Sequence, residues 1–288
     1  MKTKNNSQFG VISTEEAILR TMETPEGREN AFLCYYEWDI SNAFHRFLLS
    51  EEWNAVQQLL SKYPLPSKDA LDLGAGNGIG SYALFQSGYR VISLEPDPSE
   101  LVGYGAIKKF NKNTAVKITC VSGIGEYLPF LDHTYGLVFC RQVLHHALNL
   151  KSMTAEIKRV LIPGGIFIAT REHVIDDLAS KEIFLNNHPL HKYTHAENTY
   201  SLDEYKKALQ ESGFVLKEIL LSWDSVINHF PTTNDMFRED YRKVLKTKLG
   251  WIGLLFGNNS KLEDIYRRKK SAGDHRPGRM ISFVAKAA

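Results

Sequence analysis

What most constrains this chain is a rhythm between residues 70 and 169, where short runs rich in β-branched and aromatic side chains alternate with longer stretches of helical periodicity. The β-rich runs fall at 70–73, 90–94, 116–121, 137–140 and 166–169. Strands joined by such crossovers lie side by side and run the same way, with the helices packed over the sheet. The helical connector at 153–161 ends in Pro163-Gly164-Gly165, which stops a helix and turns the chain into the next strand. Two later β-rich runs, at 214–222 and 279–285, bring the expected count to seven. The expectation is an α/β fold: a seven-stranded, mostly parallel sheet with helices on both faces.

Apolar residues recur at helical spacing from 13 to 62, as at Ala17, Ile18, Phe44, Phe47 and Leu48, and Pro64 and Pro66 end the pattern. Residues 1–66 therefore read as an N-terminal helical cap and residues 67–288 as the main domain, with 223–277 a helical, basic insertion or lid before the last strand. Two helix starts are written in capping chemistry. Asp97-Pro98-Ser99-Glu100 puts a carboxylate before a proline, and Ser201-Leu202-Asp203-Glu204 is a capping box before a helix that stops at Gly213. With 43% hydrophobic residues among 288, the chain can fill its own core. Its 35 basic and 33 acidic side chains nearly cancel, so the whole molecule carries no field that gathers nucleic acid. Cys34, Cys120 and Cys140 are odd in number and widely spaced, which points to a reducing cytoplasm and away from a disulfide framework or zinc cluster. Residues 1–8 are polar, unlike a secretory leader, and no stretch reaches the roughly 20 apolar residues that span a bilayer.

The most informative string is Leu71-Asp72-Leu73-Gly74-Ala75-Gly76-Asn77-Gly78-Ile79-Gly80, between the first strand and a helix running to Gln86. Glycines there let the backbone turn sharply and approach a ligand, while the helix that follows presents unpaired amides: a Rossmann-like crevice for a nucleotide-bearing cofactor. Glu95 closes the second strand about twenty residues on, where a carboxylate can accept both hydroxyls of a ribose. Loops of this kind also bind NAD and FAD. The Gly-x-Gly-x-Gly spacing favours S-adenosylmethionine, as does Asp72 two positions before the first glycine: a carboxylate there can face a cationic amino acid group and would repel a pyrophosphate.

Three motifs follow in order: the glycine loop at 71–78, Leu128-Pro129-Phe130, and Arg159-Val160-Leu161-Ile162-Pro163-Gly164-Gly165. In this the chain resembles the class I S-adenosylmethionine-dependent methyltransferases, with a type 11-like methyltransferase domain. The likeness is good over about 69–170, looser through the helix after Ser201 and the last strand, and absent from the cap and the insertion. It implies that Asp72, Gly74, Gly76 and Gly78 surround the methionine part, with Asn77 and Gln142 completing that site. It further implies that Glu95 holds the ribose and Pro96 lies beside the adenine. Relatives commonly carry an aspartate-alanine pair before the LPF turn. Here Ile124-Gly125 stand in its place, Ile124 expected to pack on the ring and the Gly125 amide to donate to it. Gly136 replaces a usually acidic residue before the fourth strand.

A sulfonium methyl is already activated, so positioning supplies much of the acceleration, and a histidine is the natural base when a hydroxyl accepts. Arg141-Gln142-Val143-Leu144-His145-His146 follows the fourth strand and Arg171-Glu172-His173 the fifth, which places both at the crevice. His146, then His173, are the candidate catalytic residues; the competing reading packs one of His145 and His146 on the sheet and leaves the other to solvent. His188, His191 and His195 share one loop, but with no cysteine or convincing carboxylate to complete a set, no metal is expected. Tyr35, Tyr36 and Trp38 cover the cofactor or else pack the cap. In the insertion, Trp251-Ile252-Gly253-Leu254-Leu255-Phe256 lies between basic groups, and reads as the buried face of a lid helix in preference to a contact with anionic lipid. The expected acceptor is a hydroxyl of a small molecule or glycan, including phosphorylated or lipid-linked ones, with no specific nucleic-acid partner. The alternatives are an RNA or protein methyltransferase and a non-catalytic S-adenosylmethionine-binding module; against the former, the chain lacks an Asn/Asp-Pro-Pro-aromatic loop.

Overall fold

The computed structural model describes residues 12–194 and 197–288; the polar segment 1–8 and His195 lie outside the described residues. Four helices open the chain: α1 (Thr14–Thr21), α2 (Pro25–Leu33), α3 (Ile40–Leu48) and α4 (Glu51–Ser61). Each starts where a side chain accepts a first-turn amide, at Ser13, Thr24, Asp39 and Ser50. Phe44, Phe47 and Trp53 from α3 and α4 are fully buried; Phe44 stacks on Tyr82 at 4.8 Å and Trp53 meets Phe139 edge-on at 6.1 Å.

Those rings cover one face of a sheet built from β1 (Asp69–Leu73), β2 (Arg90–Leu94), β3 (Thr119–Val121), β4 (Tyr135–Arg141), β5 (Leu161–Ile175), β6 (Tyr200–Ser201), β7 (Phe214–Leu220) and β8 (Arg279–Ala287). The order is β3-β2-β1-β4-β5-β8-β7, with the short β6 paired to the far end of β5. Strands β1 to β6 pair in parallel, and β8 runs antiparallel between β5 and β7. The connecting helices are α5 (Ile79–Gln86), α6 (Tyr104–Asn113), α7 (Leu150–Val160), α8 (Leu178–Asn187), α9 (His191–Thr194) and α10 (Leu202–Glu211). Side chains of alternate parity split between two cores. Ala70, Leu137, Phe139 and Ile168 join the opening helices; Leu71, Leu73, Val138 and Phe167 join α7 and α10. The chain leaves β1 in one direction for β2 and β3 and returns on its other side as β4, so a crevice opens at the carboxyl ends of β1 and β4.

The α/β fold with a mostly parallel sheet is as expected, and β6 is an eighth, two-residue addition. Other expectations are corrected. No helix starts at Asp97: its side chain takes the Ser99 amide at 2.9 Å in a tight turn, its carbonyl takes the Tyr104 amide at 2.8 Å, and α6 begins only at Tyr104. Strand β3 starts at Thr119, not 116, because the Asn111 side chain occupies the Ile118 amide and carbonyl. Strand β5 does not end at 169. It bulges at Arg171, whose φ is 60°, and continues to Ile175 beside β8. Arg171, Glu172 and His173 therefore lie within a strand. The Ser201 capping box is present, with Ser201 Oγ accepting the Glu204 amide and the Glu204 carboxylate the Ser201 amide.

The insertion consists of α11 (Val226–His229), α12 (Asn234–Leu249), α13 (Trp251–Leu254) and α14 (Ser260–Ala272). Part of its positive charge is engaged internally: Arg238 and Arg267 with Glu263, Lys270 with Asp240. The apolar run is not a buried helix face. Trp251 is 73% and Leu255 72% exposed. Among the described residues, no helix is long and apolar enough to cross a membrane.

Candidate active site

The loop from Gly74 to Gly78 joins β1 to α5 under tight backbone constraint. Gly76, at φ 56°, donates its amide to Oε2 of Glu95 at 2.7 Å, and the Asp97 amide donates to Oε1 at 2.9 Å. Glu95 thus orders both loops while each oxygen keeps a lone pair for another donor. Gly78 sits at φ 92°, and a Cβ there would come within 2.8 Å of Ile107; it does not line the cavity, so its contribution is to the turn and the packing beneath it. Asn77 likewise turns its side chain away, donating Nδ2 to the Tyr35 carbonyl at 2.9 Å and tying the loop to the helices above. Asp72, at the end of β1, is buried and accepts from Ser81 Oγ at 2.5 Å. Burial pushes its carboxyl up to about 7.

Asp72 and Glu95 share one cavity of about 560 Å³. That volume is ample for an adenosine-bearing ligand. Gly74, Gly76, Pro96, Ile124, Gly125 and Gln142 line it too, together with Asn77. Gln142 adopts φ 60°, its amide donating to the Thr170 carbonyl at 2.9 Å. The roof is not the insertion, none of whose described residues line the cavity. It comes from α1 and α2 and the segment after them, through Ile18, Ala31, Cys34 and Tyr36. Tyr35 instead packs inward against Phe47 at 5.3 Å, and Trp38 is exposed. Gly136 leaves room for the Ser67 carbonyl, which would stand 2.2 Å from a Cβ.

The far end of the cavity is lined by His145, His146, His173, His188 and Glu197. His145 and His146 form a single turn after β4. His145 is the buried one, its Nδ1 donating to Oε2 of Glu172 at 2.8 Å, and His146 is the half-exposed one. Since a carboxylate accepts, the proton of His145 sits on Nδ1 and Nε2 keeps its lone pair. Glu172 also takes the amides of Val143 and His145, each at 3.1 Å. Burial lowers His145 well below the usual histidine range and raises Glu172. His173 donates Nδ1 to the Gly278 carbonyl at 2.8 Å, and burial brings it down to about 3, so this ring is a neutral wall and a poor proton acceptor at neutral pH. Burial also raises the thiols, Cys120 to about 11 and Cys140 well beyond its ordinary value, so neither is an activated nucleophile.

Sequence reading placed Glu172 at the crevice without its partner, as a substrate contact or a surface ion pair, and missed Glu197 altogether. Glu172 follows a bulge that turns it under the β4 turn; the apolar pair Val174-Ile175 was the signal that the strand continues. Glu197 shares the 186–199 loop with the histidines, and only the fold carries it to His145 and His146.

Residues 71–169 match the methyltransferase domain family. A sterol 24-C-methyltransferase of Gibberella zeae is 27% identical over 195 residues, 63% of this chain and 50% of that protein. A tRNA carboxymethyltransferase of Nautilia profundicola is 30% identical over 122 residues, 40% of this chain and 36% of that one. The chain thus spans half or less of the length of these relatives. Among solved structures, a putative sarcosine dimethylglycine methyltransferase from Galdieria sulphuraria superposes with a TM-score of 0.54 at 18% identity, over 83% of this chain and 84% of that one, which shows a common fold. With its glycine loop, β1 carboxylate and sheet order in place, the segment 71–169 is a methyltransferase domain, the family that its sequence matches.

Proposed function

We propose that the chain transfers a methyl group from S-adenosylmethionine to a hydroxyl of a small molecule or glycan, phosphorylated and lipid-linked acceptors included. One observation carries the reading: a single cavity has Asp72 and Glu95 at one end and an imidazole–carboxylate group at the other. S-adenosylmethionine, when bound, supplies a sulfonium methyl already activated for in-line displacement. Asp72 would hold its cationic amino acid end, and Glu95 the ribose hydroxyls through the lone pairs left by the Gly76 and Asp97 amides. Pro96, Ile124 and Gly125 would border the adenine, and Gln142 the reacting end. At the acceptor end, His146 remains the candidate base of the sequence reading. His145, which burial lowers well below the usual histidine range, is no better a proton acceptor than His173; with Glu172 fixing its ring and Nε2 bare, it would orient the acceptor hydroxyl. His173 fits an acceptor-positioning role better than a base.

The relatives named above act on a sterol and on tRNA, so likeness alone does not choose the acceptor. A near-balanced net charge argues against a nucleic-acid substrate. Exposed Trp251 and Leu255, close in sequence to Lys246, Lys248 and Lys261, support peripheral contact with an anionic membrane where a lipid-linked acceptor would reside. The three free thiols fit a cytoplasmic setting.

Calorimetry with S-adenosylmethionine, followed by radiolabelled methyl transfer to panels of hydroxyl compounds, RNA and protein, tests the reading. We expect binding that weakens at least tenfold in Glu95→Gln, and product in the hydroxyl panel that falls at least a hundredfold in His146→Ala. Cofactor binding without transfer to any panel leaves the non-catalytic module; transfer to RNA or protein alone overturns the acceptor.

A further inference from the structure

Glu197, on the segment between α9 and β6, brings a carboxylate only 9% exposed against the turn that follows β4. Nε2 of His145 and Nδ1 of His146 each stand 3.9 Å from its Oε2, and Nδ1 of His188 stands 3.7 Å from its Oε1. These separations exceed a hydrogen bond. They suit an ion seated between the groups, since ligand atoms held at 2.0–2.2 Å around one tetrahedral cation lie roughly 3.3 Å apart. The ligating atoms of His145, His146 and Glu197 all lie within 4.8 Å of one another.

Two independent observations point to a ligand. The first is behind His145, where Glu172 accepts from Nδ1 at 2.8 Å and leaves Nε2, the nitrogen nearest Glu197, with its lone pair. A carboxylate behind a histidine is how metal-bound imidazoles are oriented and made more basic. The second is Nδ1 of His188, a buried nitrogen with no hydrogen-bond partner among the described residues. Leaving such an atom unpaired away from water is costly unless something takes it up. Imidazoles with one carboxylate form a donor set for zinc or iron(II), too rich in nitrogen for magnesium or calcium.

We propose that His145, His146 and Glu197, with His188 beside them, bind one divalent transition-metal ion at the acceptor end of the cavity. Three protein ligands leave a fourth position for an oxygen of water or of the acceptor, from which the unpaired Nδ1 of His188 can accept a proton, the arrangement of catalytic sites and not of closed structural ones. The metal site deepens the acceptor half of the methyl-transfer reading, with His146 acting as a ligand in place of a proton acceptor when the ion is bound, and rests on that reading only for the use of the open position.

The test is zinc binding by the full chain, free of affinity tags and stripped with a chelator, followed by calorimetry and by visible absorption with cobalt(II). We expect one equivalent to bind, with affinity at least tenfold weaker in His146→Gln and in Glu197→Gln, both near-isosteric changes. Glu172→Gln should cost about 10–100-fold. His275→Gln, an exposed histidine paired with Asp176, should bind as the native chain does. The cobalt absorption should vanish in Glu197→Gln while the circular dichroism of that variant stays native. No stoichiometric binding, or binding indifferent to Glu197 and His146, overturns the proposal. S-adenosylmethionine is titrated into the same metal-free samples, so loss of cofactor binding and loss of metal binding are read separately.

Discussion

At the scale of single residues, Asp72 carries the strongest consequence. Its carboxyl ionises near 4 in an unfolded chain but only near 7 in the folded one, because burial opposes the charge. Between those values the folded state binds the extra proton, so this group's contribution to stability falls as pH rises from 4 to 7 and stays low above it. Three units correspond to on the order of 4 kcal/mol. Urea midpoints at pH 5 and pH 8 should differ more for the native chain than for Asp72→Asn, and equal differences would show that Asp72 is ionised throughout. A cation placed against Asp72 reverses the preference. Binding of S-adenosylmethionine near pH 7, where the free carboxyl is half protonated, should therefore release about half a proton, read from calorimetry in buffers of different ionisation enthalpy, and Asp72→Asn should release none. Asp72 and Glu95 were legible in the sequence because their places follow from strand ends flanking a glycine loop. The partners of Glu172, and Glu197 itself, were not, because they are set by a bulge and by a long return of the chain, which no local spacing encodes.

Elements whose ends are fixed by their own side chains were legible as well. The Ser201 box predicts α10 correctly since both of its hydrogen bonds are local. Asp97 carries the same kind of signal and fails, because its side chain and carbonyl are taken by a turn that closes on Tyr104. The run after Gly250 shows the opposite limit: an apolar pattern states that a surface is apolar, not what covers it. In α13, Trp251 and Ile252 face outward instead of covering the cavity, which α1 and α2 roof. If that turn rests on anionic lipid, co-sedimentation with vesicles of mixed phosphatidylserine and phosphatidylcholine should weaken roughly tenfold in Trp251→Ser, equivalent to about 1.4 kcal/mol of buried indole. Binding should also fall as salt screens the lysines. Binding unchanged in Trp251→Ser, or equal on uncharged vesicles, would remove the membrane from the account of this insertion.

At the scale of the whole molecule, the opening helices and the sheet share a core, so the boundary drawn near residue 66 divides the sequence more than it divides the packing. Glu52 of α4 is the clearest bond across that boundary. Fully buried, it takes Nε and Nη2 of Arg141 at 2.6 and 3.1 Å and lies 3.9 Å from Nε of Arg171. Those two arginines sit at the end of β4 and at the bulge of β5, directly before Gln142 and Glu172, so the helix that roofs the fold also fixes the strand ends that carry the candidate site. Glu52→Gln leaves two buried guanidinium groups short of their counter-charge, a loss on the order of 3–5 kcal/mol. Calorimetric melting should then move down by roughly 2–4 °C for each kcal/mol, still as one transition, with S-adenosylmethionine affinity falling in the same variant. A cap that folded on its own would instead give two transitions, the later one unmoved by Glu52→Gln, and cofactor affinity would then be independent of the helices above it.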